Sequence, residues 1–263
     1  MAVTIKSERE IALMRTACGY LSEVLDEMVA YVKPGMSTKE INDFGDRLIR
    51  AHGCVPNFLN YEGFPGSFCL SVNEEVVHGI PSRKRIVKEG DLLSIDGGLI
   101  YKGYHSDAAR SLIVGGRDKA DPAVLKLMDV TEESFFKGIE KAVAGNHLYD
   151  ISNAIADYVE PFGYGIIEDL TGHGIGRHLH EDPMIPNYRQ HSRGIRLRAG
   201  MTLAVEPMIG LGTWEVDFAD DGWTCTTKDK KVASHYENTI LVTDGAPEIL
   251  TLPGGRKRKS AEQ

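Results

Sequence analysis

Two segments of this chain read almost alike: VKEGDLLSID at residues 87–96 and LRAGMTLAVE at residues 197–206. In each, a glycine precedes a short apolar run that ends in a carboxylate, Asp96 in the first copy and Glu206 in the second. Short apolar runs bounded by turn residues predict buried strands. A carboxylate beside such a strand must be paired, hydrated or bound to a metal, because burying it alone costs several kcal/mol.

Two further pairs of segments extend the repeat. GMSTKEI at residues 35–41 matches GNHLYDI at residues 145–151, again 110 positions apart. HSDAARSLIV at 105–114 resembles HYENTILV at 235–242, although at a different offset. Three matches in the same order indicate an internal duplication, which we expect to comprise residues 1–115 and 116–252.

The hydrophobic pattern predicts the same plan in both halves. Apolar residues spaced near 3.6 positions, with turn and capping residues between them, predict helices at about 7–32, 38–53, 122–144 and 148–161. The β-rich runs predict strands at 91–95, 111–114, 201–205 and 239–242. This pattern favours an α+β fold over a doubly wound sheet. We expect a single catalytic domain over residues 1–252, followed by a basic, solvated tail at 253–263.

Composition and charge exclude several classes of protein. With 263 residues, 42% of them hydrophobic, the chain has ordinary globular composition. Its formal charge of −8 disfavours a nucleic-acid partner, and the sequence contains neither a membrane-spanning run nor a secretory signal. The four cysteines lack paired spacing, which argues against a disulfide framework and against a zinc knuckle. We therefore expect a reducing, cytoplasmic location.

Four carboxylates placed by the duplication suggest a metal site. Strands that bring together Asp96, Asp107, Glu206 and Glu237 would place like charges side by side, and a multivalent cation resolves that repulsion. His173, in the glycine-rich loop TGHGIG at 171–176, can add an imidazole ligand. Oxygen ligands with one imidazole suit Mn, Fe(II), Co or Zn. The loop spacing does not fit a dinucleotide or phosphate motif.

Taken together, six sequence motifs resemble those of a known family, the type I methionine aminopeptidases. The resemblance extends from the first helix to about Leu252 and rests on VHGIP at 77–81, DGG at 96–98, SD at 106–107, TGHGIG at 171–176, EPM at 206–208 and YENT at 236–239. It implies the duplicated "pita-bread" fold, with pseudo-two-fold symmetry and an antiparallel β-sheet core covered by two helix pairs. The absence of a zinc-binding extension and of a long insertion indicates the short, bacterial type.

The resemblance also implies a metal centre with assigned ligands. Asp107 and Glu237 would bridge two divalent ions, Asp96 would hold one ion, and His173 with Glu206 would hold the other. Co, Mn, Fe(II) or Zn are the candidate ions. A water activated by both ions would be the nucleophile, with Glu206 as its general base.

Further residues are assigned to the substrate. His78 and His180 resemble the pair that contacts the substrate amide and stabilises the tetrahedral intermediate. Tyr61, Phe64, Cys69 and Trp223 match the pocket for the methionine side chain. Phe58 and Leu179 depart from the residues that are common at their positions, so they could alter the shape of that pocket. His178 matches no functional position.

The resemblance, together with this composition, implies a cytoplasmic metallo-exopeptidase that removes the initiator methionine from new proteins whose second residue is small. We expect a monomer that acts on nascent polypeptides, near the exit tunnel of the ribosome by family analogy, with no specific nucleic acid or membrane partner. Two alternatives share the fold: a proline-directed aminopeptidase, which has the same ligand order, and a non-catalytic binding protein. The complete set of ligands disfavours the second alternative, and the short segment before Asp96 disfavours the first.

Overall fold

Each half of the chain contributes one pair of helices. The computed structural model describes residues 3–252, so the predicted basic tail at 253–263 lies outside the described residues. The first pair is α1 (Glu8–Tyr31) and α2 (Thr38–Ala51), and the second is α3 (Pro122–Ile139) and α4 (Leu148–Val159). Asp121 caps α3 by accepting a hydrogen bond from the amide of Ala123 (2.7 Å). All four predicted helices are therefore present.

The turn between the helices of each pair is repeated in detail. Gly35 and Gly145 both have positive φ, 89° and 98°, and each donates its amide to a carbonyl 52 residues later, on Val87 (2.8 Å) and Leu197 (3.0 Å). Gly90 and Gly200 both have a φ of 88°. Only glycine adopts this region without steric cost, which explains why the duplicated segments share these glycines.

The strands form antiparallel sheets against which the helix pairs pack. Within residues 3–252 they are β1 (Val55–Pro56), β2 (Phe68–Val72), β3 (Glu75–Val77), β4 (Leu92–Tyr101), β5 (Tyr104–Ile113), β6 (Gly165–Ile166), β7 (Gly172–Gly174), β8 (Glu181–Ile185), β9 (Thr202–Val205), β10 (Met208–Gly210), β11 (Val216–Phe218), β12 (Cys225–Thr227), β13 (Ala233–His235), β14 (Asn238–Leu241) and β15 (Glu248–Ile249). In the first half, β4 lies between β1 and β2 on one path and also pairs with β5. In the second half the order is β15-β14-β9-β7-β8.

The sheets of the two halves meet along β5. Ala109 of β5 and Glu237, which lies between β13 and β14, exchange both backbone hydrogen bonds (3.3 and 3.2 Å). Two positions further on, the hydroxyl of Thr239 accepts from the amide of Asp107 (3.2 Å) and donates to its carbonyl (2.8 Å). The hydroxyl of Thr239 thus continues the hydrogen bonding between β5 and β14 where their backbones no longer bond directly.

Each helix pair covers the sheet of its own half. Leu21, Leu25 and Met28 of α1 are fully buried and belong to one apolar cluster with Ile41 of α2 and residues of β2 and β4. A second cluster joins α3 and α4 to β9, β10 and β14. Burying a side chain of this size stabilises the fold by about 1.5–3 kcal/mol, so the two clusters hold the sheets in place.

The largest differences from the predicted element boundaries are in β5, α3 and β4. β5 begins at Tyr104 and not at residue 111. α3 ends at Ile139 rather than near residue 144, because the chain turns so that Ala144 donates its amide to the carbonyl of Thr243 (2.9 Å). β4 does not stop at Ile95 but continues through Asp96 to Tyr101. Among the described residues, no helix is both long and apolar enough to cross a membrane.

Candidate metal centre

Three carboxylates lie in one row across the joined sheets. Asp96 of β4 pairs with Ala109 of β5, and Ala109 is hydrogen-bonded to Glu237. Glu206 follows β9 directly; because Val205 pairs with Asn238, Glu206 comes opposite Glu237. We call Asp96, Ala109, Glu237 and Glu206 the carboxylate row. The register of the joined strands therefore brings carboxylates from both halves into one line.

A second row lies two residues further along each strand. It contains Asp107, Thr239, Ala204 and His173, since Ala204 pairs with both Thr239 and His173. Residues two apart on a strand point to the same face. All five predicted metal ligands are thus on one face of the sheet, in two adjacent rows.

The potential ligand atoms converge. The Nε2 atom of His173 lies 3.8 Å from Oδ2 of Asp107 and 3.6 Å from Oε1 of Glu206. One ligand atom each from Asp107, His173 and Glu237 fits within 4.8 Å of the others. The Nδ1 atom of His173 is 2.9 Å from the carbonyl oxygen of Gly174. A proton on Nδ1 can be donated to that carbonyl, which leaves the Nε2 lone pair free to bind a cation.

The electrostatics of the site are unfavourable for bare carboxylates. Burial raises the pKa of Asp96 to about 8. Burial, together with repulsion from neighbouring carboxylates, raises the pKa values of Asp107, Glu206 and Glu237 well above their ordinary range. The nearby His173 does not compensate, because burial lowers its pKa to about 3 and leaves the ring neutral.

These residues fit a divalent cation. Buried carboxylate oxygens of Asp96 (Oδ1), Asp107 (Oδ1) and Glu237 (Oε1) have no hydrogen-bond partner in the part of the chain that the structure describes. Native proteins rarely leave such atoms unpaired, and an ion is one of the standard explanations. Four carboxylates and one imidazole form a donor set that suits first-row divalent metals, as the sequence predicted.

The two predicted substrate-contacting histidines flank this face. His78 follows β3 with a positive φ of 59°, a conformation that is rare for residues other than glycine and is often found at functional sites. Burial lowers the pKa of His78 to about 4. His180 is exposed, and its ring lies 4.4 Å from the ring of His173, nearly perpendicular to it.

The predicted pocket residues lie next to the same histidines. Phe64 contacts Trp223 edge to face, with ring centroids 5.2 Å apart, and Trp223 lies 6.2 Å from the ring of His78. Cys69 is directly opposite Asp96 across β2 and β4, so it extends the carboxylate row, and its thiol is buried with a raised pKa. The hydroxyl of Tyr61 is 2.8 Å from Nδ1 of His180. An apolar wall thus borders the carboxylates.

The remaining sequence candidates are peripheral. Phe58 packs in an apolar cluster with Tyr61 and Leu179 beside this wall. His178 is exposed, in agreement with its lack of an assigned role.

Sequence reasoning missed one buried residue of the site, His235. Its Nε2 atom lies 3.8 Å from Oε2 of Glu206 and 3.9 Å from Oε2 of Glu237. The only signal in the sequence was the similarity between the segments that begin at His105 and at His235. That similarity alone could not show that the ring of His235 faces the carboxylates.

Comparison with known proteins agrees with this geometry. Residues 12–244 match the model of metallopeptidase family M24. The chain therefore belongs to metallopeptidase family M24. Methionine aminopeptidases from Clostridium acetobutylicum and Clostridium perfringens are 47% and 48% identical to it, and each alignment covers 95% of this chain and 99% of the relative. Within the family, the chain thus groups with the methionine aminopeptidases, which confirms the resemblance identified in the sequence.

Solved structures support the fold. Methionine aminopeptidase from Rickettsia prowazekii superposes with a TM-score of 0.92 at 40% identity, covering 95% of this chain and 100% of that one. Prolidase from Pyrococcus horikoshii has a TM-score of 0.74 at 24% identity and is covered over 63% of its length. The prolidase shares the fold alone. The predicted duplicated α+β fold is confirmed.

Proposed function

We propose that this protein hydrolyses the peptide bond after an N-terminal methionine when the second residue is small. The single observation that carries the proposal is the convergence of five side chains from both halves on one face of the joined sheets. The relatives named methionine aminopeptidase supply the substrate class.

Asp96, Asp107, His173, Glu206 and Glu237 would hold two divalent ions, with Asp107 and Glu237 shared between them. Ions bound there supply Lewis acidity, which activates water and polarises the scissile carbonyl group. Glu206 accepts the proton of the attacking water and passes it to the leaving amine.

His78 and His180 contact the substrate beside the scissile bond. Either ring can donate a hydrogen bond to the carbonyl oxygen as charge develops on it. The neutral form suits His78, since burial keeps its pKa near 4. The short contact from Tyr61 holds the ring of His180 at the mouth of the site.

Tyr61, Phe64, Cys69 and Trp223 hold the methionine side chain. The rings of Phe64 and Trp223 pack edge to face against each other, and aromatic rings make favourable contacts with a thioether sulfur. The thiol of Cys69 lines the pocket and is not a nucleophile, because burial raises its pKa.

Methionine specificity is favoured over the proline-directed alternative. The methionine aminopeptidases are 47% and 48% identical over nearly the full length of both chains. The prolidase likeness, at 24%, carries no substrate information. The retained carboxylates and histidines also disfavour a non-catalytic binding protein.

Nascent polypeptides in the cytoplasm are the proposed substrates, since newly made chains carry the initiator methionine. The four cysteines are free thiols, as a reducing compartment requires. Contact with the ribosome and the monomeric state stay predictions.

The test uses metal-stripped protein on two peptides, Met-Ala-Ser and Met-Leu-Ser, with and without Co(II), Mn(II) or Fe(II). We expect metal-dependent release of methionine from Met-Ala-Ser and little release from Met-Leu-Ser. Release that needs no metal would refute the mechanism. Absence of release with every metal, from protein whose circular dichroism is native, would refute the activity.

A further inference from the structure

His235 is buried in the site, yet the proposed mechanism gives it no task. Its side chain is only 1% exposed, and neither ring nitrogen has a hydrogen-bond partner within residues 3–252. An imidazole carries at least one N–H, and an unsatisfied buried donor costs about 1–3 kcal/mol. An orphaned ring at this position therefore calls for a functional explanation.

The backbone fixes where this ring lies. His235 is the last residue of β13 and pairs with Met208 of β10, two residues after Glu206. Its carbonyl accepts a hydrogen bond from the hydroxyl of Ser111 on β5 (2.8 Å). The ring is thus held between strands from both halves.

The Glu206 carboxylate lies between two imidazoles. Its Oε1 is 3.6 Å from Nε2 of His173, and its Oε2 is 3.8 Å from Nε2 of His235. The two rings differ in their second nitrogen. Nδ1 of His173 is in hydrogen-bond contact with the carbonyl of Gly174, whereas Nδ1 of His235 has no partner. The contact with Gly174 anchors the ring of His173, and the ring of His235 lacks such an anchor. One ligand atom each from Glu206, His235 and Glu237 also fits within 4.8 Å of the others, so direct binding of an ion by His235 is the alternative that metal titration must exclude.

Two carboxylates, which can only accept hydrogen bonds when ionised, lie close to Nε2 of His235: Oε2 of Glu206 at 3.8 Å and Oε2 of Glu237 at 3.9 Å. A shift of under 1 Å brings Nε2 into hydrogen-bond range of Oε2 of Glu206, whose normal N–O distance is about 2.7–3.2 Å. An N–H donor at Nε2 would hold Oε2 of Glu206 and direct Oε1 of the same carboxylate toward the other proposed metal ligands. Carboxylate ligands commonly carry such hydrogen bonds.

We propose that His235 is a positioning residue for Glu206: its Nε2–H donates to Oε2 and fixes the orientation in which Oε1 faces the metal centre and the attacking water. The proposal rests on the proposed function of Glu206 and adds a residue to it. In this role His235 acts through Glu206 and would not bind the ions itself.

The experiment compares H235Q with H235M. These two side chains have nearly the same length and shape, but only glutamine keeps an N–H donor near the position of Nε2. We expect H235M to lower kcat for Met-Ala-Ser by about 10- to 100-fold, the usual effect of losing such a support, with KM nearly unchanged. H235Q should restore most of the rate. Both variants should bind as many Co(II) ions as the unmodified chain, with similar absorption spectra.

Each other outcome overturns the proposal. If H235M and H235Q have the same kcat, an N–H donor at this position does not determine the rate. If both variants change the Co(II) spectrum or bind fewer ions, His235 is a ligand and not a positioning residue. Should H235M fail to fold, H235N replaces it, because its amide is too short to reach Glu206 and the same loss is expected. If the unmodified, folded chain releases no methionine with any metal, the proposed function itself fails, a result distinct from equal rates in the two variants.

Discussion

Glu206 lies opposite Glu237 at the end of the carboxylate row, and its Oε1 is 3.6 Å from Nε2 of His173. We expect Glu206→Gln to lower kcat for Met-Ala-Ser by about 10²- to 10⁴-fold, the range that a general base contributes. The substitution keeps the shape of the side chain, so the melting temperature should change little. Glu140→Gln, at an exposed position after α3, is the matched control and should keep full activity. An active Glu206→Gln variant would remove Glu206 from the role of base.

Thr239 supports Asp107 through its hydroxyl, which makes both hydrogen bonds to the backbone of that residue. We expect Thr239→Val to destabilise the fold by about 1–3 kcal/mol, because it leaves two buried backbone groups unpaired. It should also weaken Co(II) binding, measured by isothermal titration calorimetry, since Asp107 loses its support. Thr131→Val, which removes a buried hydroxyl bonded to Leu127 inside α3, should leave Co(II) affinity unchanged. Equal affinity in the two variants would contradict the role given to Thr239.

The repeated turns before β4 and β9 each depend on a glycine with a positive φ. Gly90 and Gly200 share a φ of 88°, and a Cβ would lie 2.9 Å from the carbonyl of Lys119 at the first and 2.8 Å from Cγ2 of Ile5 at the second. We expect Gly90→Ala and Gly200→Ala each to cost at least about 1–2 kcal/mol in urea unfolding, the usual penalty for left-handed backbone.

Gly19→Ala provides the control for these two variants. Gly19 lies within α1, and a Cβ there would meet no atom within 4 Å. Alanine should stabilise the helix by about 0.5–1 kcal/mol. Gly90→Ala or Gly200→Ala variants as stable as the unmodified chain would contradict the equivalence of the two turns.

The start of α1 is joined to β5 by one carboxylate, Glu10. It accepts hydrogen bonds from the backbone amide of Ser7 (2.9 Å), from the hydroxyl of Ser7 (2.8 Å) and from the hydroxyl of Tyr104 (2.7 Å). The first of these bonds contributes most to lowering the pKa of Glu10 from 4.5 to about 2. Since the folded state has the lower pKa, the stability from Glu10 is present above about pH 4.5 and is lost as the pH falls toward 2.

Glu10→Gln should therefore lower the free energy of unfolding near neutral pH. The difference from the unmodified chain should shrink as the pH falls from about 4.5 to 2, which chemical denaturation at several pH values would measure. Glu8→Gln, at an exposed position of the same helix turn, should preserve the pH dependence of the unmodified chain. A Glu10→Gln variant with an unchanged pH dependence would contradict this assignment.

At the scale of the whole molecule, the duplication made much of the fold predictable. The glycines at 35, 90, 145 and 200 and the apolar runs beside them specify the turns and strands of both halves. The prediction ended the first of these strands at Ile95, whereas β4 continues to Tyr101. Glycines such as Gly97 and Gly98 usually weaken a strand. Here they are needed, since a Cβ at Gly97 would lie 2.2 Å from the ring of Phe68.

The candidate site was predictable only in part. Sequence motifs indicated the five proposed metal ligands, but the two rows that these residues form depend on the pairing of β5 with the segment after β13. That pairing joins residues more than 100 positions apart and has no local signal. His235 was missed for the same reason, because its proximity to Glu206 arises from the pairing of β10 with β13.

The central claim is that both halves of the chain contribute ligands to one metal centre. The most direct test is to titrate metal-stripped protein with Co(II) while following methionine release from Met-Ala-Ser. Asp107 and Glu237 come from different halves and would be shared by two ions, so we expect about two ions to bind per chain, as in other two-metal hydrolases. Asp107→Asn and Glu237→Gln should each abolish both tight binding and methionine release. Full activity without added metal, or unchanged Co(II) binding in both variants, would contradict a centre formed by the two halves together.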